Sequence, residues 1–171
     1  MTFSDSYKPA VTDSRPYPPI KVARRNPRYA DMIVPALRAQ SSELTAITTY
    51  IYQNWIFFQK HASLAETISK IANVEMHHLQ MLGTLVTLLG GDPSFAQDTC
   101  QCWTGNAPGY THNIRKAMKD NVEAEEAAAN FYLETASKIQ DQFVCAVLNR
   151  IAMDEKIHAK IFRHYLNNLS C

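Results

Sequence analysis

The chain has 171 residues, 46% of them hydrophobic, and carries 17 Lys and Arg against 16 Asp and Glu, a net charge of +1 at pH 7. That length fits one domain with a full core. Near-neutral charge argues against nucleic acid or an acidic membrane as a partner, and no apolar run reaches the roughly 18 residues that a membrane span needs.

The start, Met1-Thr2-Phe3-Ser4-Asp5-Ser6, lacks the basic region and apolar core of a secretory leader. Cys100, Cys102, Cys145 and Cys171 form no Cys-x-x-Cys pair, and Cys100-Gln101-Cys102 is too weak a pattern for a zinc or redox site. The expectation is a cytoplasmic protein with reduced thiols. Only five glycines and long stretches of good helix formers predict an all-α fold.

Residues 1–28 read as an extended N-terminal arm, with the helical domain over 29–171. Pro9, Pro16, Pro18, Pro19 and Pro27 each remove a backbone donor and disfavour helix in the residue before. Tyr7, Tyr17 and Ile20 are apolar points that would staple the arm to the domain or to a second subunit; a disordered tail is the alternative. The first helix is predicted from Pro27 to Phe58, with Ile33, Ala36, Gln40, Glu43, Ile47, Tyr50 and Asn54 on one face and Pro35 marking a late start or a kink.

The second helix is predicted from Ser63, as N-cap with Glu66 completing a capping box, to the stop Gly90-Gly91-Asp92-Pro93. Its inward face carries Ile71, Glu75, His78 and Leu82. Residues 92–111 are long for a link between neighbours and fit one long crossover returning the chain to the other end of a bundle, anchored by Trp103. The third helix spans His112 to Ile139 and the fourth Gln142 to Leu169, with Glu125 on one apolar stripe and Glu155 and His158 on the other.

The chemistry lies in Glu75-x-x-His78 and its copy Glu155-x-x-His158. Residues three apart share a helix face, so each carboxylate and imidazole can reach one point. Glu43-x-x-Ala46-Ile47-x-x-Tyr50 likewise corresponds to Glu125-x-x-Ala128-Ala129-x-x-Tyr132. This repeat selects Glu125 over Glu123 and Glu126, which are read as solvated or outer residues. Two Glu-x-x-His helices, each opposed by a helix with one inward Glu, are how a four-helix bundle holds two metal ions.

Four buried carboxylates would be costly unpaired, and two divalent cations balance them. Oxygen and nitrogen ligands without thiolate suit iron or manganese. Tyr50 and Tyr132 stand seven residues after Glu43 and Glu125, on the same faces, where a hydroxyl could bond to a ligand or to peroxide. His77 points away from Glu75 and His78, and His61, His112 and His164 are read as solvated. Met76, Met81, Met118 and Met153 are read as core filler.

These motifs resemble the ferritin-like superfamily, specifically rubrerythrin-like proteins and the related manganese catalases, over about residues 30–168. The resemblance implies a ferritin-like antiparallel four-helix bundle with a carboxylate-bridged dinuclear centre. Glu43 and Glu125 would be ligands on the first and third helices, Glu75 and Glu155 would bridge or cap the metals, and His78 and His158 would each bind one. Two iron ions are expected, with two manganese ions as the alternative. The implied function is reduction or dismutation of hydrogen peroxide by a cytoplasmic homodimer; O2 is the substrate in the ferroxidase or iron-storage alternative. A metal-bearing structural protein, layered as in a spore coat, is a third reading.

Two departures from rubrerythrins are visible. No rubredoxin domain with paired Cys-x-x-Cys motifs is present, so a peroxidase would need an external electron donor such as rubredoxin. Ala128 stands where rubrerythrins carry an extra Glu, which raises the manganese catalase-like reading.

Overall fold

The structure is a computed structural model that describes residues 7–96 and 102–169. Among the described residues six helices follow in order: α1 (Pro27–Ile33), α2 (Pro35–Arg38), α3 (Glu43–Phe57), α4 (Ala62–Leu89), α5 (Ile114–Ser137) and α6 (Gln142–Asn167). They make a ferritin-like bundle in which α3 packs along α4 and α5 along α6, each pair joined by a short turn. Among the described residues, no helix is long and apolar enough to cross a membrane.

The single first helix expected from Pro27 to Phe58 is instead three. Pro27 opens α1 and Pro35 opens α2, positions where the missing N–H costs nothing. Ala39 and Ser42 are then extended, and the next helix starts at Glu43. Tertiary pairing holds this break open: Ala39 bridges to Cys102, and Trp103 N–H donates to the Arg38 carbonyl at 2.7 Å. Gln40, expected on the inward face, is exposed in the break.

The capping box expected at Ser63 does not form. α4 begins at Ala62 with His61 as N-cap, so Ser63 lies inside the first turn and Glu66 pairs with Lys70. At the other end Gly90 takes φ 92, a left-handed conformation open to glycine at no steric cost, and stops the helix. Asn113 caps α5 by accepting from Lys116 N–H, and Asp141 caps α6 by accepting from Phe143 N–H.

The apolar interior is split into two cores. One gathers Ile33, Leu37, Leu82, Leu85, Val147, Leu148 and Ile151. The other gathers Ile68, Ile71, Met118, Ile161, Phe162 and Tyr165. Between them lies a belt of buried ionisable side chains. Residues 7–26 are non-helical and run over the bundle, with Tyr17, Ile20 and Val22 against the first core and Tyr7 and Val11 against the second.

Candidate metal centre

Glu43, Glu75, His78, Glu125, Glu155 and His158 all converge in the belt, none more than 5% exposed. They form two overlapping clusters: Glu43, Glu75, His78 and Glu155 in one, Glu75, Glu125, Glu155 and His158 in the other, with candidate ligand atoms within 4.8 Å of one another in each. Glu75 and Glu155 are common to both. Glu75 and His78 share a face of α4, Glu155 and His158 a face of α6, while Glu43 comes from the first turn of α3 and Glu125 from mid-α5.

His78 Nδ1 sits 3.1 Å from both Glu75 Oε2 and Glu155 Oε1, and His158 Nδ1 sits 2.8 Å from Glu75 Oε1 and 3.2 Å from Glu155 Oε2. Among the described residues, Glu75 Oε1 and Glu155 Oε1 have these imidazoles as their near polar neighbours and no well-aligned hydrogen bond. Buried carboxylate oxygens so poorly satisfied are costly, and a cation between them removes the cost. Oxygens and imidazole nitrogens without thiolate suit manganese or iron, so the donor set fits a pair of such ions.

Crowding shows in the electrostatics. Burial, then the charges of Glu75 and Glu155, push the Glu43 carboxyl far above the usual range. Burial and Glu75 push Glu125 up to about 8. Burial also opposes ionisation of Glu75, but His158 and His78 outweigh it and hold that carboxyl low. The histidines are raised in turn: burial acts against their charge, and Glu155 beside His78 and Glu75 beside His158 overcome it.

The two tyrosines reach across the bundle, not along their own helices as the seven-residue spacing implies. Tyr50 O–H, on α3, donates to Glu125 Oε1 on α5, and Tyr132 O–H, on α5, donates to Glu43 Oε1 on α3. Burial, then the partner carboxylate, raises both phenols well above their ordinary value, which keeps them donors.

A cavity of about 300 Å3 opens between α3 and α5 and ends on this site. Glu43, Glu75, Glu125, Glu155, Tyr50 and Tyr132 line its inner end, and neither His78 nor His158 does. Its walls include the small side chains of Ala39, Ala46, Ala124 and Ala128, beside Phe131 and Gln40. Farther along the same interface Gln53 and Asn121 exchange two amide hydrogen bonds, at 2.9 and 2.7 Å.

Sequence reasoning missed Asp154. It is fully buried and accepts from His78 Nε2–H at 3.1 Å, on the face of the ring away from the carboxylates. Burial works against its ionisation, but hydrogen bonds from His78 and Tyr17 hold its carboxyl down at about 2. The available signal was a mismatch in the repeat: Val74 precedes Glu75 where Asp154 precedes Glu155. On His158 the equivalent outer nitrogen donates to the backbone carbonyl of Val11, which no side-chain pattern announces.

Other expectations sort out as follows. Glu123 and Glu126 are exposed, the latter paired with Arg163, and His77 and His112 are exposed. His164 is exposed too, though Tyr7 stacks on it at 3.8 Å. Met81 and Met118 are core, but Met76 is 44% exposed because it lies on the outer face of α4. Cys100 lies outside the described residues, and Cys102 holds the bridge to Ala39.

Fold and site together define a helical bundle of the ferritin-like dimetal-carboxylate kind. A family model for manganese containing catalase matches residues 16–103, over half of the chain, and the chain belongs to that family. The match includes Glu43, Glu75 and His78. A probable manganese catalase of Clostridium acetobutylicum is 24% identical, covering 88% of this chain and 75% of its own. The uncharacterized protein YhjR of Bacillus subtilis is 28% identical, covering 75% of this chain and 82% of its own.

Among solved structures, KatB, a manganese catalase from Anabaena PCC7120, superposes with a TM-score of 0.80 at 22% identity, over 92% of this chain and 79% of its own. A Desulfovibrio desulfuricans bacterioferritin superposes at 0.67 with 20% identity, over 83% and 80%. These two show the fold. The family favours manganese, the alternative expectation, and the iron expected first finds no support in it.

Proposed function

We propose that this chain is a dimanganese enzyme that dismutates hydrogen peroxide to water and oxygen, with Glu43, Glu75, His78, Glu125, Glu155 and His158 holding the ions. One observation carries the reading: among the described residues a cavity reaches the buried site from its carboxylate side. The cavity reaches the four carboxylates and the two tyrosines, while the imidazoles are closed off behind them. A small neutral molecule can therefore approach the carboxylate side without disturbing the histidines.

When bound, the ions supply a two-electron store that one peroxide fills and the next empties. The protein supplies the rest. Glu75 and Glu155, common to both clusters, fix the spacing of the two positions. Tyr50 and Tyr132 each spend their one O–H on holding Glu125 and Glu43 in place, and leave two phenol oxygens at the cavity wall that can accept from a peroxide O–H. The alanine-lined walls favour a neutral substrate over an ion. Dismutation balances its own electrons, so this reading dispenses with the external donor.

The same reading keeps the enzyme in the cytoplasm, with an extended arm on a single bundle domain, as an assembly of copies of this chain. Trp55 and Phe58, 65% and 55% exposed at the end of α3, are apolar surface that a second copy would cover.

The test compares manganese-loaded, iron-loaded and metal-free protein for peroxide decay without added reductant. Decay with manganese alone is expected. Decay that needs a reductant means a peroxidase; consumption of Fe(II) and O2 without peroxide decay means a ferroxidase.

A further inference from the structure

Both histidines of the site are held from outside by the non-helical residues that precede α1. His158 Nε2–H donates to the Val11 carbonyl at 2.8 Å. His78 Nε2–H donates to Asp154 Oδ2, and Asp154 is itself held by the Tyr17 hydroxyl at 2.5 Å and the Asp13 backbone N–H at 2.7 Å. Buried Arg150 fastens the same segment. Its Nε and Nη2 donate to the carbonyls of Arg15 and Asp13, both at 3.0 Å, and its guanidinium lies 4.1 Å over the Tyr17 ring. The Glu-x-x-His repeat is not symmetric here. With Val74 in place of a second Asp, His158 takes its outer acceptor from the arm itself.

We propose that Val11, Asp13 and Tyr17 form a strap that positions His78 and His158 as metal ligands, so that docking of the strap and binding of the metal strengthen each other. The proposal rests on the metal reading of these six residues and not on peroxide chemistry. An imidazole ligates through the nitrogen that carries no proton, and an acceptor at its other nitrogen keeps the proton there. With the strap in place each Nε2 faces an acceptor that keeps a proton there, and each Nδ1, the nitrogen a metal would take, faces the carboxylates. With the strap undocked His158 loses its acceptor, and Asp154 loses two of the donors that aim it at His78. If docking raises metal affinity by some factor, metal binding must favour docking by the same factor.

The coupling is measured from both sides on the full chain, with zinc as a diamagnetic divalent probe. From one side, the exchange of the Asp13 amide, which reports the contact with Asp154, is followed by NMR. It is expected to slow about tenfold when zinc is bound. The Ala23 amide donates to Asp141 at the α6 N-terminus and serves as the control, with its rate unchanged.

From the other side, Tyr17→Phe and Asp13→Pro each remove one donor to Asp154. Both are expected to release zinc to a chelator severalfold faster than the parent, while the metal-free proteins melt together. That last comparison separates a positioning role from general packing. Asp13 exchange indifferent to zinc, equal slowing at Ala23, or zinc release from both variants at the parent rate overturns the strap. Failure to bind zinc at all overturns the strap and the metal reading together. A coupled strap without peroxide decay removes only the catalase reading.

Discussion

The hydroxyl of Tyr50, on α3, donates to Oε1 of Glu125, on α5. Its counterpart Tyr132 returns the contact from α5 to Glu43 on α3. Each helix thus supplies one carboxylate to the site and one phenol to the other helix's carboxylate. The two phenols close the site from opposite cores, Tyr132 with Leu82 and Ile151, Tyr50 with Ile68 and Phe162.

The crossed pairs make the first prediction. Tyr50→Phe and Tyr132→Phe remove one O–H each and leave the ring packing. Both variants are expected to retain two metals and to decompose peroxide about tenfold more slowly, the usual cost of an outer hydrogen bond to a ligand. Metal content and initial rates measured on the same samples check this. Loss of metal would mean that the phenols hold the centre together; unchanged rates would mean that they play no part in turnover.

A second prediction separates shared from unshared carboxylates. Glu75 and Glu155 belong to both clusters, Glu43 and Glu125 to one each. Glu75→Ala and Glu155→Ala are expected to lose both ions, while Glu43→Ala and Glu125→Ala keep one weakly. Exposed Glu123 serves as control, and Glu123→Ala is expected to bind like the parent. Metal analysis after dialysis reads the outcome directly.

How much of this was legible in the sequence follows from where each signal resides. Side-chain periodicity showed α4, α5 and α6 and the one face of each that carries Glu and His, because 3.6-residue spacing is a local property. The break at residues 39–42 was not legible: it is held by the crossover through Ala39, Cys102 and Trp103, a contact distant in sequence. Spacing along α3 gave the right face for Tyr50 but not its partner, since the distance to Glu125 depends on how α5 is set against α3. Asp154 was hidden by its neighbour Glu155, and Val11 acts through a backbone carbonyl that any residue would carry.

Proton linkage gives a third prediction. In the metal-free protein Glu43 is pushed well above its ordinary value and Glu125 to about 8. A carboxyl whose folded pKa is raised contributes stability that is complete below its unfolded value and is lost as pH rises through the folded one. The metal-free protein should therefore melt progressively lower from about pH 5 to about pH 8. Metal binding expels those protons, so manganese affinity should rise over the same window and the loaded protein should not show the decline. Calorimetric melts with and without chelator test both halves; a metal-free protein that gains stability across that range contradicts the crowded-carboxyl account.

Access gives the fourth. Ala128 lines the cavity one turn beyond Glu125. Ala128→Leu would fill space on the approach and leave every candidate ligand intact. The expected result is a lower kcat/KM for peroxide with full metal content. A variant as fast as the parent would place the entrance elsewhere.

All of this depends on two metal ions lying between Glu75 and Glu155. Crystals of the manganese-loaded protein, measured at the manganese absorption edge, give an anomalous difference map that tests the claim without reference to activity. Two peaks are expected, both touching Glu75 and Glu155, one beside Glu43 and His78 Nδ1 and the other beside Glu125 and His158 Nδ1. Full loading with no peak in this belt, or with ions only on surface carboxylates, would contradict it.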